Sequence, residues 1–324
     1  MVDTTISLKL NKYSVGKTLG EGIFKVKHVY DPITQEQYAA KICKESWKKH
    51  LLLKEASILS QLNQANIPNI VKMKELIEPE QISHRRGSLR STTAQNADSY
   101  QYNAAIIMEL VPNQSLFEYV CQSKGLEEKL ARSYFKDLIT TVHSLHSLGY
   151  VHRDIKLENI LIDQKYHIKL ADFGFARSFD EFSKEKMTTR LGTEYYMAPE
   201  IKQSDFYSGV KIDVFACGVI LFLMILGRPP FRQASSVDPL YRHFTDENPE
   251  KFWSFVEQKL SGGKEIKASL KVLINDLLAR DPEKRPTADE ILEYEWVQRE
   301  FCTDEELETL MSKKKKTMEE EEVN

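Results

Sequence analysis

The 324-residue sequence has few of the features that mark secreted, metal-binding or lipid-anchored proteins. It contains only four cysteines, and they are scattered without the paired spacing of metal ligands: Cys43, Cys121, Cys217 and Cys302. This pattern favours a reducing, intracellular environment. The first residues do not have the pattern of a signal peptide, and Val2 stands where myristoylation requires glycine.

Excess charge and long apolar runs are also missing. The net charge of −3 gives no reason to expect a nucleic-acid or membrane partner. The longest apolar run, residues 214–226, is shorter than the roughly 20 residues of a membrane-spanning helix. We interpret it as a buried core helix that begins at Asp213, since an acid is favourable at a helix N-terminus. We therefore expect a cytoplasmic monomer of one large domain or two lobes.

The first third of the chain has strand patterns and one amphipathic helix. Strands are predicted at 13–19, 26–30 and 38–42. A helix with one buried face follows, marked by apolar residues at helical spacing: Leu52, Ala56, Leu59 and Leu62. Glu55 falls within that face, and a buried carboxylate needs a cation or a hydrogen-bond donor. Lys41 is the candidate partner.

Two further strands are predicted at 70–78 and 104–111, on either side of a polar insert at 79–103. The insert has few apolar residues, so we expect it to be disordered. A helix is predicted over 130–147, with Gly149 as its stop. Its apolar face consists of Ala131, Phe135, Leu138, Val142 and Leu145.

Residues 150–174 combine acids, a base and an amide with two short apolar strands. The tripeptide His152-Arg153-Asp154 is followed by Lys156 and Asn159, then by predicted strands at 160–162 and 168–170. Asp172-Phe173-Gly174 comes directly after the second strand. Carboxylate and amide oxygens on such turns suit a hard divalent cation such as Mg²⁺.

Taken in this order, and followed by Ala198-Pro199-Glu200, these motifs resemble the catalytic core of eukaryotic protein kinases. The match covers residues 13–297 and is nearest to the calmodulin-dependent and AMP-activated kinase group. It implies an α+β, bilobal fold with ATP between the lobes. The small lobe has an antiparallel sheet with one helix, and the large lobe is helical. The implied segments are a polar leader (1–12), an N-lobe (13–108), a hinge (109–111), a C-lobe (112–297) and a charged tail (298–324).

The resemblance also implies roles for single residues. Asp154 would accept or orient the proton of the substrate hydroxyl, and Lys156 would neutralise charge on the γ-phosphate. Asn159 and Asp172 would hold Mg²⁺. Lys41, fixed by an ion pair with Glu55, would hold the α- and β-phosphates of ATP. The nucleotide would further contact residues spread over both lobes: Leu19, Gly20, Gly22, Val26, Ala39, Met108, Glu109, Val111 and Leu161.

The glycine loop departs from the kinase pattern. The sequence Gly20-Glu21-Gly22-Ile23-Phe24-Lys25-Val26 fits best if the third glycine is missing. Two consequences are open: the ammonium of Lys25 offers itself to phosphate, or the tip of the loop retracts and weakens nucleotide binding. The shortened loop is also the one feature that favours a different class, a pseudokinase that binds nucleotide without transferring phosphate.

Substrate class and regulation follow from the same resemblance. Lys156 and Thr193 are typical of kinases that phosphorylate Ser and Thr of protein substrates, and Glu158 would favour a basic residue before the target. Thr189 matches the usual activation site, and Arg153 would bind its phosphate. An upstream kinase is therefore an expected partner.

The end of the chain is strongly charged. A short helix is predicted from Asp304 to Met311, followed by lysines at 313–316 and glutamates at 319–322. The lysine run has the composition of a nuclear import signal. We interpret it as a solvated tail, with nuclear import as the alternative.

Overall fold

The computed structural model describes residues 8–79, 101–179, 194–203, 206–245, 249–261 and 265–323. The chain forms two compact units. The first consists of Met1–Asn66 and Val71–Val111, and the second of Ile67–Ile70 and Pro112–Asn324. The first unit is built on an antiparallel sheet and the second is mainly helical, which confirms the predicted α+β class.

In its described residues, the first unit contains six strands and one long helix, α1 (Lys49–Gln64). The strands are β1 (Lys9–Leu10), β2 (Tyr13–Glu21), β3 (Lys25–Tyr30), β4 (Gln37–Cys43), β5 (Met73–Ile77) and β6 (Ala104–Glu109). They form one antiparallel sheet in the order β1-β2-β3-β4-β6-β5. The strands predicted at 13–19, 26–30 and 38–42 lie within β2, β3 and β4. The strand predicted at 70–78 is observed as β5, which covers only Met73–Ile77.

The two faces of this sheet carry different side chains, because side chains alternate along each strand. One face carries a cluster of buried residues: Leu10, Tyr13, Val29, Ala40, Ile42, Ile77, Ala105 and Ile107. Lys41 alternates with Ala40 and Ile42, so its side chain lies on the other face. There α1 packs against β5 and β6. The helix buries the apolar residues that the spacing predicted, with Glu55 among them.

The C-terminal end of the polar insert, residues 101–103, packs on the sheet. The backbone N–H of Asn103 donates to the carbonyl of Cys43 at 2.7 Å, and Tyr102 packs against the apolar cluster. The predicted disorder concerns residues 80–100, which lie outside the described part of the chain.

The second unit contains ten α-helices and two small antiparallel strand pairs among its described residues. The helices are α2 (Leu116–Ser123), α3 (Glu128–Ser147), α4 (Glu200–Gln203), α5 (Gly209–Leu226), α6 (Pro239–Thr245), α7 (Glu250–Phe255), α8 (Ala268–Leu277), α9 (Ala288–Leu292), α10 (Glu295–Gln298) and α11 (Asp304–Val323). The strand pairs are β7 (Tyr150–Val151) with β10 (Arg177–Ser178), and β8 (Ile160–Ile162) with β9 (Ile168–Leu170). Gly149 follows α3 with a φ of +74°, the left-handed conformation that a helix stop requires.

Helix α5 begins earlier than predicted. It starts at Gly209, and the hydroxyl of Ser208 caps it by accepting the amide N–H of Lys211. Asp213 is therefore not a helix-terminal acid; it lies inside the helix and is 1% exposed. By length and composition alone this helix could cross a membrane, but 78% of it is buried within the protein, as expected for a core helix.

The charged tail is not a solvated segment. It forms the 20-residue helix α11, which packs against α2. Leu307, Met311 and Met318 are buried along one side of α11. From the lysine run, Lys314 donates to the hydroxyl of Ser123 at 3.1 Å and Lys315 to the side-chain oxygen of Asn113 at 2.9 Å. Lys314 is half-buried, and this burial lowers the pKa of its ammonium.

Candidate active site

In the first unit, Lys41 of β4 and Glu55 of α1 form a buried ion pair. The Lys41 ammonium lies 2.7 Å from each carboxylate oxygen of Glu55. Lys41 is 8% exposed and Glu55 is 2% exposed. Two charges withdrawn from water to this degree are retained only when each satisfies the other, so the pair fixes the direction of the lysine side chain.

The sheet brings several predicted nucleotide-binding residues to the face that carries Lys41. Residues directly opposite each other in an antiparallel pair share a face, as do residues two apart on one strand. Val26 lies opposite Lys41, and Ala39 lies opposite Met108. Val26, Ala39, Lys41 and Met108 therefore face the same way. Glu109 follows Met108 and bonds to Lys72 through its backbone and side chain.

The glycine loop is a tight hairpin between β2 and β3. Gly20 pairs with Val26 and Glu21 with Lys25, which leaves only residues 22–24 in the turn. The Lys25 ammonium lies 2.7 Å from the Glu21 carboxylate and lowers the pKa of that carboxyl. The first consequence that the sequence left open is that the Lys25 ammonium binds phosphate. A phosphate would then compete with the Glu21 carboxylate for this ammonium.

The side chains around the turn differ in exposure. Leu19 and Gly22 are exposed, whereas Phe24 is buried and only 7% exposed. The Phe24 ring lies 5.7 Å from the Lys41 ammonium, a cation–π contact. A phosphate group that reaches this ammonium therefore competes with an aromatic ring as well as with Glu55.

In the second unit, the loop that starts at His152 gathers three predicted catalytic side chains. The Lys156 ammonium lies 2.7 Å from the Asp154 carboxylate, and the side-chain amide of Asn159 donates to the same carboxylate oxygen at 2.9 Å. Asn159 also donates to the Asp154 carbonyl at 2.8 Å. The Asp154 carboxylate thus lies between the Lys156 ammonium and the Asn159 amide, and the Asp154 side chain is 9% exposed.

Asp213 holds the beginning of this loop. Its carboxylate accepts the backbone N–H of His152 at 2.9 Å and that of Arg153 at 2.7 Å, and it lies 3.1 Å from the His146 ring. Arg153 has a φ of +69°, a conformation that is costly for a non-glycine residue and that these bonds help to maintain. Sequence reasoning missed this role. The available signal was an acid beside a run of apolar residues, which needs polar partners if it is buried.

Asn159 and Asp172 lie at the same end of the β8–β9 hairpin. Ile160 pairs with Leu170, and the backbone N–H of Ala171 donates to the Asn159 carbonyl at 2.8 Å. The next residue, Asp172, has a φ of +61° and is exposed. Leu161, a predicted pocket residue, lies on β8 and is half-buried.

The donor set at this end of the hairpin fits Mg²⁺. The Asn159 amide nitrogen is used by Asp154, which leaves the amide oxygen as the atom for a metal. Asp172 supplies a carboxylate. Among the described residues no group of three His, Cys, Asp or Glu side chains could hold a metal by itself. One carboxylate with an amide oxygen is the type of set with which Mg²⁺ keeps waters and shares phosphate oxygens.

A second buried ion pair lies after the segment that leads to Ala198-Pro199-Glu200. The Arg285 guanidinium contacts both carboxylate oxygens of Glu200, at 2.6 and 2.8 Å, and its side chain is fully buried. It also donates to the carbonyls of Ala279 and Lys211. This network fixes the start of α4 to the core of the helical unit.

Two predicted regulatory residues have different outcomes. Arg153 lies in the catalytic loop, directly before Asp154. Thr189 and Thr193 lie in residues 180–193, outside the described part of the chain.

Comparison with known proteins gives one family and several relatives. The family described as protein kinase domain matches residues 13–297. The chain is 31% identical over 306 residues to CBL-interacting protein kinase 33 of Oryza sativa subsp. japonica, covering 93% of this chain and 60% of that protein. It is 30% identical over 296 residues to the SNF-related serine/threonine-protein kinase of Homo sapiens, covering 88% and 33%. It is 32% identical over 291 residues to the probable serine/threonine-protein kinase CCRP1 of Zea mays, covering 88% and 41%. The chain thus spans 60% or less of the length of these three proteins.

Proposed function

The chain belongs to the protein kinase family, and from this premise we propose that it is an ATP-dependent protein serine/threonine kinase. The observation that carries the proposal is the catalytic loop, where the Asp154 carboxylate lies 2.7 Å from the Lys156 ammonium and 2.9 Å from the Asn159 amide. The relatives are named as kinases over nearly the whole of this chain. The pseudokinase alternative rests on the shortened glycine loop alone, whereas the relatives are named as kinases and Lys41, Asp154, Asn159 and Asp172 are all present.

Phosphoryl transfer depends on positioning and on neutralising charge. Asp154 accepts the hydrogen bond of the substrate hydroxyl and takes its proton. The hydroxyl oxygen then bonds to the γ-phosphorus as the bond from that phosphorus to the bridging oxygen breaks, and ADP leaves. Lys156 offsets negative charge on the transferred group. Because Lys156 and Asn159 hold the Asp154 carboxylate, the base is oriented before substrate arrives.

The remaining residues hold ATP and its metal. Lys41, directed by Glu55, binds the α- and β-phosphates. Asn159 and Asp172 would hold Mg²⁺, which would neutralise phosphate charge when bound. The kinase resemblance further implies nucleotide contacts from Val26, Ala39 and Met108 on the sheet and from Leu161 on β8. Leu19, Gly20, Gly22, Glu109 and Val111 complete the proposed nucleotide contacts.

Autophosphorylation with γ-labelled ATP tests the proposed function. We expect label on serine and threonine after acid hydrolysis, because Lys156 and Thr193 are typical of Ser/Thr kinases. Asp154→Asn provides the blank, since it lacks the base but keeps the size of the side chain. Label found mainly on phosphotyrosine would contradict the proposal, as would transfer no greater than that of Asp154→Asn.

We further propose that phosphorylation of Thr189 by an upstream kinase activates the enzyme. A phosphate adds about −1.5 to −2 charges. Arg153, directly before Asp154 in the catalytic loop, carries the guanidinium that we propose binds it. One charge-assisted hydrogen bond contributes about 1.5–3 kcal/mol, which corresponds to roughly tenfold or more in activity if it is made only in the active form.

Thr189→Ala should therefore lower the activity of phosphorylated enzyme about tenfold. Arg153→Ala should remove the benefit of phosphate, and Thr188→Ala is the matched control that should be activated normally. The measurement is peptide phosphorylation before and after treatment with phosphatase. Equal activity of the two forms of the wild-type enzyme would refute this switch.

Cytoplasmic localisation and a monomeric state stay predictions. The engagement of Lys314 and Lys315 with the α2 region speaks against the nuclear import alternative, since an import signal must be free to bind its receptor. Four relatives are named CBL-interacting kinases, which suggests a regulatory protein partner as a further expectation.

A further inference from the structure

Tyr196 connects the segment before Ala198-Pro199-Glu200 to the catalytic loop. It ends a short 3-10 turn, Glu194–Tyr196, and is 7% exposed. Its phenol oxygen accepts the backbone N–H of Leu157 at 3.2 Å, and its hydroxyl donates to the Glu158 carboxylate at 3.2 Å. The same oxygen therefore bonds to two consecutive residues that lie between Lys156 and Asn159.

This contact completes the anchoring of the loop. Asp213 holds the backbone of His152 and Arg153, and Asn159 holds Asp154. Neither of these contacts reaches Leu157, which is 1% exposed. A buried backbone N–H requires an acceptor, and the phenol of Tyr196 supplies it.

Tyr196 is itself fixed at both ends. The 3-10 turn packs against α5. Four residues later, Glu200 is bound by the buried Arg285. Burial raises the pKa of Tyr196 well above its ordinary value, and the nearby negative charge of Glu158 raises it further. The phenol therefore stays protonated and keeps its donor throughout the pH range of an enzyme assay.

We propose that Tyr196 is a positioning residue for phosphoryl transfer. Its phenol holds the Leu157–Glu158 peptide and so fixes the directions of Lys156 and Asn159 on either side. This inference rests on the proposed kinase function. Lys156 acts on the transferred phosphate and Asp154 depends on Lys156, so loss of the phenol affects the catalytic step more than the binding of ATP.

The test is steady-state kinetics of Tyr196→Phe in the full chain, which keeps the ring and removes only the oxygen. We expect kcat to fall about fivefold to tenfold, the effect of one net hydrogen bond, while KM for ATP changes less than about twofold. The profile of kcat against pH should keep its shape from about pH 6 to 9, because the phenol does not titrate there.

Tyr134→Phe is the matched control. Tyr134 is 1% exposed, and its phenol donates to the Tyr166 carbonyl at 2.9 Å, at the opposite end of the β8–β9 hairpin. It loses a buried phenol in the same way, so it should lose a similar amount of thermal stability and keep wild-type kcat. If both variants lose kcat in proportion to their loss of stability, Tyr196 has only a structural role and the proposal is wrong.

Hydrogen exchange of the peptide that spans residues 155–160 is the second measurement. In Tyr196→Phe the amide of Leu157 loses its acceptor, so this peptide should exchange faster than in wild type while peptides of α3 do not change. Unchanged exchange together with unchanged kcat would overturn the proposal. The proposed function is judged separately: it fails if wild-type enzyme transfers no more phosphate than Asp154→Asn, whatever Tyr196→Phe does.

Discussion

Asp172→Asn is expected to lower the rate of phosphate transfer by about 100-fold or more, because it removes a charge that stabilises the transition state through Mg²⁺. The fold should be unaffected, since Asp172 is exposed and asparagine has the same shape. The measurement is transfer of label from ATP to a peptide, with thermal unfolding of the same preparation as a check.

Asp163→Asn is the matched control for this substitution. Asp163 lies at the other end of the β8–β9 hairpin, where its side chain accepts the amides of Lys165 and His167 at 2.9 Å. Asparagine can still accept these bonds through its oxygen, so the rate should stay near wild type. Wild-type turnover of purified Asp172→Asn would overturn the assignment of the metal site.

Lys41→Met should lower the rate of phosphate transfer about as much as Asp172→Asn does. It also leaves the buried Glu55 without its cation. Removing one partner of a buried pair typically costs about 3–5 kcal/mol. Stability must therefore be measured for this variant before its activity is interpreted, whereas Asp172→Asn tests the chemistry alone.

The largest expected effect on stability comes from Glu200→Ala. It leaves the fully buried Arg285 guanidinium without a carboxylate, and we expect the free energy of unfolding to fall by about 3–5 kcal/mol. Urea unfolding followed by tryptophan fluorescence measures it, because Trp253 and Trp296 are buried in the helical unit.

Glu194→Ala provides the comparison in the same segment. Glu194 pairs with Lys202 at 3.0 Å, but its side chain is 65% exposed. An exposed pair contributes only about 0–1 kcal/mol, so this variant should unfold almost like wild type. Similar midpoints for the two variants would show that the buried pair does not anchor α4 as inferred.

The sequence was sufficient where structure depends on local patterns. Strands β8 and β9 were predicted at their observed bounds, since each is a short apolar run between polar turns. The buried face of α1 followed from helical spacing, and the burial of Glu55 within it directed attention to Lys41. Both inferences needed only periodicity and the cost of burying a charge.

The sequence was insufficient where a side chain works through a distant partner. Asp213 was misread as a helix-terminal acid because its partners, the amides of His152 and Arg153, lie about sixty residues earlier. Tyr196 was passed over for the same reason, since nothing local distinguishes it from Tyr195. The stripe formed by Leu307, Met311 and Met318 was detectable, but the surrounding charges directed the interpretation toward a solvated tail.

The docking of α11 separates two kinds of boundary in this protein. The match to the protein kinase domain ends at residue 297. The packed structure continues further, because Leu307, Met311 and Met318 of α11 are buried. A protein shortened at residue 297 is expected to expose the surface of α2 that α11 covers, and with it a tendency to self-associate.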